Sequence, residues 1–186
     1  MHHAARTSSA SRLSSTGRAL AGRTLVDIVS LVTLYLIRHA VAGSRNNFDP
    51  TDDRRPLDTI GLGQAAAIAE SWSDDAVEAI YASPALRCVQ TVEPLAARLG
   101  LGVEVAPQLF EGASTSRSIE FVRSFTGRTV VLCSHGDVIP DVLRNLEVGG
   151  CKLQGRGCAK GSIWQLDNST ERIDSGSYAE PPGLRI

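Results

Sequence analysis

Residues 31–37, LVTLYLI, are followed directly by Arg38 and His39. A nearly uninterrupted run of apolar, strand-favouring residues is typical of a β-strand that is buried on both faces. A second run of this kind, residues 129–133 (TVVLC), is followed by a serine and a histidine. Two buried strands that each lead into a histidine predict an α/β domain with polar groups gathered at one edge of its sheet.

Segments of helical character separate the strands. Residues 61–72 are rich in alanine, with apolar residues four positions apart, and residues 83–99 begin with Ser-Pro and end before a glycine. We expect Ser83 to cap this second helix and Pro94 to bend it. Weaker patterns predict strands at 76–82, 103–106 and 162–166 and helices at 116–125 and 137–146. The alternation predicts a three-layer α/β/α fold with a mostly parallel sheet.

The two ends of the chain depart from this pattern. Residues 1–24 hold four arginines and many serines and threonines but no acidic residue, so we expect 1–30 to be a disordered basic extension. The same composition is typical of an organelle transit peptide, and a true start further downstream is a third reading. The polar segment 169–186 is predicted to be a loose tail, which leaves 31–168 as the domain.

Composition excludes several classes of protein. The chain has 186 residues, of which 42% are hydrophobic, and a formal net charge of −1. This balance argues against wholesale disorder and against a strong nucleic-acid binder. The sequence contains no stretch of eighteen apolar residues, so it predicts no membrane-spanning helix. We expect a cytoplasmic protein whose four cysteines are free thiols. The oligomeric state stays open.

Polar residues follow three of the predicted strands, so they should meet at the carboxyl edge of the sheet. The first strand leads to Arg38 and His39, the second to a serine and then Arg87, and the strand at 129–133 to Ser134 and His135. Two arginines and two histidines beside the starts of helices favour a site for an anion such as a phosphoryl group.

These segments resemble the motifs of the histidine phosphatase superfamily, which has the phosphoglycerate-mutase-like fold. Residues 38–40 (RHA) are similar to its R-H-[GA] signature, and residues 83–87 (SPALR) to its second element. Residues 134–136 (SHG) resemble the third, and residues 110–112 (FEG) resemble the acidic loop that supplies a proton donor. Residues 160–162 (KGS), before the last predicted strand, are also family-like. The resemblance spans about residues 33–168, and four elements in the family's order are far more specific than R-H alone.

The resemblance implies a role for each of five residues. His39 is the expected nucleophile, which would form a phosphohistidine intermediate. Arg38, Arg87 and His135, the last as an imidazolium, would surround the phosphoryl oxygens. Glu111 would protonate the leaving oxygen and later accept a proton from water. The resemblance implies no metal and no cofactor, because these cations supply the positive charge.

Departures from the mutase pattern point to a subgroup. Mutases of this family read R-H-G-E where this chain has Ala40 and Val41, and only 24 positions separate Glu111 from His135, which leaves little room for a lid. R-H-A and residues 53–57 (DRRPL) resemble the SixA type, which acts on phosphohistidine in proteins. The phosphatase domain of actinobacterial MutT-type Nudix fusions is also similar. The implied substrate is a phosphoprotein or a phosphorylated small molecule.

Several assignments stay open at this point. The acid role of Glu111 competes with Glu104 and Glu120, which lie in the same part of the chain. A phosphoglycerate-type mutase and a phosphate-binding protein without turnover are the alternative functions. Further substrate contacts are expected from four residues that flank the histidine motifs: Ser44, Arg45, Ser134 and Gly136.

Overall fold

The computed structural model of the chain describes residues 32–45, 52–73, 76–169 and 171–183. The expectations for residues 1–30 therefore lie outside the described residues. The strands are β1 (Thr33–Arg38), β2 (Ala79–Ala82), β3 (Val103–Val105), β4 (Val130–Ser134), β5 (Lys152–Gln154), β6 (Ile163–Asn168) and β7 (Ile173–Ala179). The helices are α1 (Thr59–Ser71), α2 (Leu86–Leu99), α3 (Thr115–Arg123) and α4 (Val138–Val148).

The strands form one mixed sheet in the order β3-β2-β4-β1-β6-β7-β5. Strand β1 pairs in parallel with β4, β4 with β2, β2 with β3, and β7 with β5. Strand β6 alone among these runs the other way, antiparallel to both β1 and β7. The prediction of a mostly parallel sheet is confirmed, and β6 adds one reversed strand beside its centre.

Helices cover both faces of the sheet, as expected for three layers. Side chains alternate between the faces of a strand, and β1 shows the consequence. Leu34 and Leu36 belong to a core cluster that includes residues of α3 and α4, whereas Tyr35 and Ile37 belong to a second cluster with residues of α1 and α2. Burial on both faces explains why the sequence of β1 is apolar almost throughout.

The expectation of a loose tail is wrong for the segment that forms β7. This strand pairs with β6 on one side and β5 on the other, so its backbone groups are satisfied within the sheet. Its sequence, IDSGSYA, carries few apolar side chains, and only Ile173 and Gly176 are fully buried. Backbone pairing rather than an apolar run defines this strand, which is why the hydrophobic pattern missed it.

Helix α2 also differs from expectation at its start. It begins at Leu86 after Ala85, and no side chain caps it. The hydroxyl of Ser83, expected as the cap, accepts from the amide of Ala85 at 3.3 Å just before the helix and also contacts a histidine at the edge of the sheet. The helix continues through Pro94 and ends at Leu99, and the following Gly100 has a φ of 67° that suits a residue without a side chain.

The four cysteines are free, as expected. Among the described residues, none of the helices combines the length and the apolar character that are needed to cross a bilayer.

The close approach of α1 to the loop after β1 yields a stability prediction. A Cβ atom at Gly61 would lie 1.8 Å from the carbonyl oxygen of Val41, whereas a Cβ atom at Gly63 meets nothing within 4 Å. We expect Gly61→Ala to lower the free energy of unfolding by about 2–3 kcal/mol, because backbone must move. Gly63→Ala, the matched control in the same helix, should raise it by about 0.5–1 kcal/mol. Urea denaturation measures both, and equal effects would contradict this packing.

Candidate active site

His39 lies directly after β1 at the carboxyl edge of the sheet and is 5% exposed. Its Nδ1 is 2.8 Å from the carbonyl oxygen of Ala40, which accepts the Nδ1 proton. The amide of Ala40 donates to Thr91 Oγ1, and the Thr91 hydroxyl in turn donates to the Arg87 carbonyl. With Nδ1 holding the proton, Nε2 carries the free lone pair of the ring.

Burial lowers the pKa of His39 from 6.5 to about 3. The hydrogen bond to Ala40 opposes this shift in pKa, while His135, Arg87 and Arg38 lower the pKa further. His39 is therefore a neutral imidazole across the physiological pH range. An unprotonated ring nitrogen in a cationic environment is what a nucleophile toward an anionic phosphoryl group requires.

Arg87 places a fully buried guanidinium beside this histidine, on the first turn of α2. Its Nη2 donates to Glu111 Oε2 at 2.8 Å and lies 3.2 Å from His135 Nδ1. Its Nη1 donates to the backbone carbonyl of Asp52 at 2.5 Å. The guanidinium of Arg87 thus contacts Asp52, Glu111 and His135, which are far apart in the sequence.

His135 follows β4 as His39 follows β1, and the two ring centroids are 5.3 Å apart. Nδ1 of His135 lies 3.2 Å from Nη2 of Arg87, and its Nε2 lies 2.7 Å from Ser83 Oγ. The imidazolium expected at position 135 stays a prediction. Ser83 is a site residue that sequence reasoning had assigned to a helix cap.

Arg38 and Gly136 are packed against each other. A Cβ atom at position 136 would lie 2.7 Å from Cζ of Arg38, so a side chain there would displace the guanidinium from its present position. Arg38 Nη1 donates to the carbonyl of Cys158 at 2.5 Å, and its buried Nε has no partner among the described residues. Gly136, expected to bind substrate, acts here by shaping the space that Arg38 occupies.

Asp52 organises three arginines and was missed from sequence. It accepts from Arg55 Nε at 2.6 Å and Nη2 at 2.7 Å, and it lies 3.3 Å from Arg45 and 3.5 Å from Arg87. The hydrogen bond from Arg55 lowers the pKa of Asp52, so the group is a carboxylate. The available signal was the i, i+3 spacing of Asp52 and Arg55 beside the 53–57 motif.

Glu111, like Asp52, is an acidic residue that contacts Arg87 and Arg45. Its carboxylate accepts from Arg87 and Arg45, and the side chain is 36% exposed, which leaves it open to solvent on one side. Of the two rival candidates, Glu104 is exposed on β3 and Glu120 is exposed on α3. The structure therefore brings Glu111, and neither of these, to Arg87.

A cavity of about 450 Å³ opens beside His39. Ser44 and Arg45, both expected near substrate, lie in its wall. Ser134 does not, because it is buried and its hydroxyl donates to the Leu109 carbonyl at 2.7 Å, so the expected contact of its side chain with substrate is wrong. The cavity is lined by Arg38, His39, Ala42, Gly43, Ser44, Arg45, Arg55, Asp58 and Lys160. Within the described part of the chain, no group of three or more His, Cys, Asp or Glu residues is arranged to hold a metal ion.

Comparison with known proteins bears on this arrangement. The model of the histidine phosphatase superfamily (branch 1) matches residues 34–117, which include His39, Arg87 and Glu111. A curated relative, the 8-oxo-(d)GTP phosphatase of Mycolicibacterium smegmatis, is 31% identical over 160 residues, which cover 83% of this chain. The chain belongs to the histidine phosphatase superfamily. The superfamily prediction made from the four motifs is confirmed. The match spans 50% of the relative's length.

Solved structures show the same fold for this histidine phosphatase superfamily member. The protein histidine phosphatase SixA complexed with tungstate matches with a TM-score of 0.61 and 19% identity, over 82% of this chain and 97% of that one. A mycobacterial glucosyl-3-phosphoglycerate phosphatase in complex with VO3 matches with a TM-score of 0.61 and 20% identity, over 80% and 96%. The phosphoglycerate-mutase-like α/β architecture is therefore confirmed.

The buried, neutral state of His39 has a measurable consequence for stability. Its pKa is about 3 in the folded protein and near 6.5 when unfolded, so acid protonates the unfolded chain first. The stabilising contribution is complete above pH 6.5 and is lost as the pH falls toward 3. We expect about 2 kcal/mol of the wild-type unfolding free energy to be lost between pH 7 and pH 5 through this group.

Urea denaturation at both pH values, compared between the wild type and His39→Gln, measures this contribution. A variant that is as sensitive to pH as the wild type would contradict it. Imidazole ¹⁵N shifts supply a second readout and should report an unprotonated Nε2 down to pH 5.

Proposed function

We propose that this chain is a phosphatase that hydrolyses a phosphomonoester or a phosphorylated histidine through a covalent phosphohistidine on His39. The observation that carries the proposal is the neutral, buried His39, whose Nδ1 proton is held by the Ala40 carbonyl. Its free Nε2 lies in a cationic environment made by Arg38 and Arg87. An attacking lone pair and positive charge for the phosphoryl oxygens are the two requirements of phosphoryl transfer.

In the first step the Nε2 lone pair of His39 forms a bond to phosphorus while the bond from phosphorus to the leaving oxygen breaks. Glu111, which is open to solvent on one side, takes up a proton from solvent once the phosphoryl group has displaced it from Arg87. It gives this proton to the leaving oxygen and becomes a carboxylate again. The phosphorylated ring carries phosphorus on Nε2 and a proton on Nδ1. Its cationic character is stabilised by the Ala40 carbonyl, and the guanidiniums stabilise the charge on the equatorial oxygens.

In the second step water attacks the phosphorus of the phosphohistidine. The Glu111 carboxylate accepts the proton of the water, and the bond between phosphorus and nitrogen breaks. Inorganic phosphate is released, and His39 regains its lone pair. The ring keeps its Nδ1 proton throughout, so the tautomer set by Ala40 serves both steps.

The ion pair between Arg87 and Glu111 links substrate binding to proton transfer. The carboxylate accepts from Arg87 Nη2, which is the same donor that a phosphoryl oxygen would use. A phosphoryl group that binds Arg87 therefore displaces Glu111 from that nitrogen. The freed carboxyl group is then beside the leaving oxygen, where general acid catalysis requires it.

The substrate class is a small phosphate ester, a nucleotide or a phosphoprotein. The relative from Mycolicibacterium smegmatis is named for 8-oxo-(d)GTP, and one structural relative is named a protein histidine phosphatase. The cavity beside His39 is open to solvent and polar, which suits either kind of substrate. We propose that no metal takes part, because two guanidiniums supply the positive charge; activity that survives EDTA would support this, and loss with EDTA would oppose it.

The covalent step is tested by quenching the reaction during turnover with a ³²P-labelled aryl phosphate. The wild type should retain label on His39 that is stable to alkali and lost in acid, and peptide mass spectrometry should locate it. His39→Ala should retain none and should lose hydrolysis by at least about 10³-fold.

An acid-stable adduct, or label on another residue, would overturn the assignment of the nucleophile. A protein that binds phosphate without hydrolysis would show no adduct and no turnover. A mutase would instead isomerise phosphoglycerate and depend on a bisphosphate primer.

The acid role of Glu111 is tested by varying the leaving group. Glu111→Gln should slow esters with alkoxide leaving groups by about 10²-fold or more, because these need a proton. Activated aryl esters, which leave without one, should slow by less than about tenfold. Values of kcat/KM across the series measure the difference, with Glu120→Gln on the exposed face of α3 as the control. Equal slowing of all esters would remove Glu111 from the acid role.

A further inference from the structure

The cavity beside His39 is lined by more cations than one phosphoryl group uses. Arg38, Arg45, Arg55 and Lys160 all lie in its wall, and Asp58 is the one carboxylate among the lining residues that the structure describes. At about 450 Å³ the cavity falls within the range of roughly 300–1,000 Å³ found for small-molecule sites, so it takes more than a phosphate.

Lys160 is fixed close to the nucleophile through its own backbone and that of Gly161. The Gly161 amide donates to the carbonyls of Arg38 at 3.1 Å and His39 at 3.2 Å. The carbonyl of Lys160 accepts from the buried Gln64 side chain at 2.9 Å, and the same side chain accepts from the Val41 amide. The peptide group that follows Lys160 is thus held by Gln64 on one side and by the backbone of Arg38 and His39 on the other.

The ammonium group of Lys160 has no ion pair or hydrogen bond within the described part of the chain, although the side chain is half-buried. Burial is the first cause that lowers the pKa of Lys160, and the charges of Arg38 and Arg55 lower it further. Asp58 opposes this effect, but its carboxylate also accepts from the Gly61 amide at the start of α1. Crowded like charges of this kind favour a bound anion.

The other cations of the cavity differ from Lys160 in their partners. Arg45 and Arg55 are both paired with Asp52, and Arg45 also contacts Glu111. Arg38 donates to a backbone carbonyl and packs against Gly136, next to the nucleophile. Arg38 therefore serves the reacting phosphoryl group, which leaves Lys160 as a second positive charge in the same wall.

We propose that Lys160 binds a second anionic group of the substrate, so that the preferred substrates carry a phosphate or a carboxylate next to the phosphoryl group that reacts. Nucleoside diphosphates and phosphorylated carboxylic acids have this chemistry, whereas simple aryl phosphates lack it. The inference rests on the proposed function, since it assigns the reacting phosphoryl group to His39.

The test uses calorimetric binding of three probes to the full chain, so that it does not depend on turnover. Phosphate carries one anionic group, pyrophosphate carries a second phosphate, and phosphonoacetate carries a carboxylate. The wild type should bind at least one of the two-group probes about tenfold more tightly than phosphate. Lys160→Met should weaken that probe by about tenfold and phosphate by less than about threefold. Lys160→Arg should retain the preference.

Lys152→Met, which removes an exposed lysine on β5, is the matched control and should change no binding constant. Tighter binding of pyrophosphate identifies a second phosphate, and tighter binding of phosphonoacetate identifies a carboxylate; both support the proposal. Equal weakening of all three probes in Lys160→Met would place Lys160 on the reacting phosphoryl group and overturn it. A wild type without any preference would overturn it too. Failure of the phosphohistidine experiment, with this preference intact, would instead oppose the proposed function alone.

Discussion

The positions of the site residues depend on the parallel pairing of β1 with β4. The two strands lie side by side with Arg38 opposite Ser134, and the amide of His39 extends the ladder by donating to the Ser134 carbonyl at 2.9 Å. Each strand is followed directly by a histidine, so His39 and His135 lie next to each other at the carboxyl edge of the sheet. Strand β2 ends beside β4, and the Ser83 amide donates to the Cys133 carbonyl. Ser83, which contacts His135, therefore lies at the same edge of the sheet. Backbone pairing at the centre of the sheet therefore fixes the relative positions of these side chains.

Buried charge is the second constraint. A guanidinium as deeply buried as that of Arg87 is costly unless its donors are satisfied. Here Glu111, His135 and the Asp52 backbone contact Nη1 and Nη2, whereas the buried Nε has no partner among the described residues, so these three groups offset part of the cost of burying the arginine. Removing one of these groups affects both the site and the burial of the arginine, and kinetic effects of such variants need a measurement of folding beside them.

Sequence patterns predicted those features that depend on local runs and on parallel strand order. The apolar runs located β1 and β4, and their order along the chain brought His39, Arg87 and His135 to one edge. They did not predict β7, whose polar sequence is paired rather than packed, nor the partners of Ser83 and Asp52. Nor did they predict which atoms of Arg87 and Ser83 the ring of His135 meets. Contacts of this kind follow from tertiary geometry, which local spacing does not encode.

The reversed direction of β6 places the start of a strand, and the residues before it, at the edge of the sheet where His39 lies. Parallel strands present only their ends at the carboxyl edge, whereas β6 begins there, so residues 160–162 enter the site from the start of a strand. This segment is joined to Arg38 and His39 by backbone hydrogen bonds. The side chain of Lys160 can therefore vary in size and charge while the neighbouring backbone stays in place, whereas Ser162 is buried and Gly161 has a φ of 81° that favours glycine.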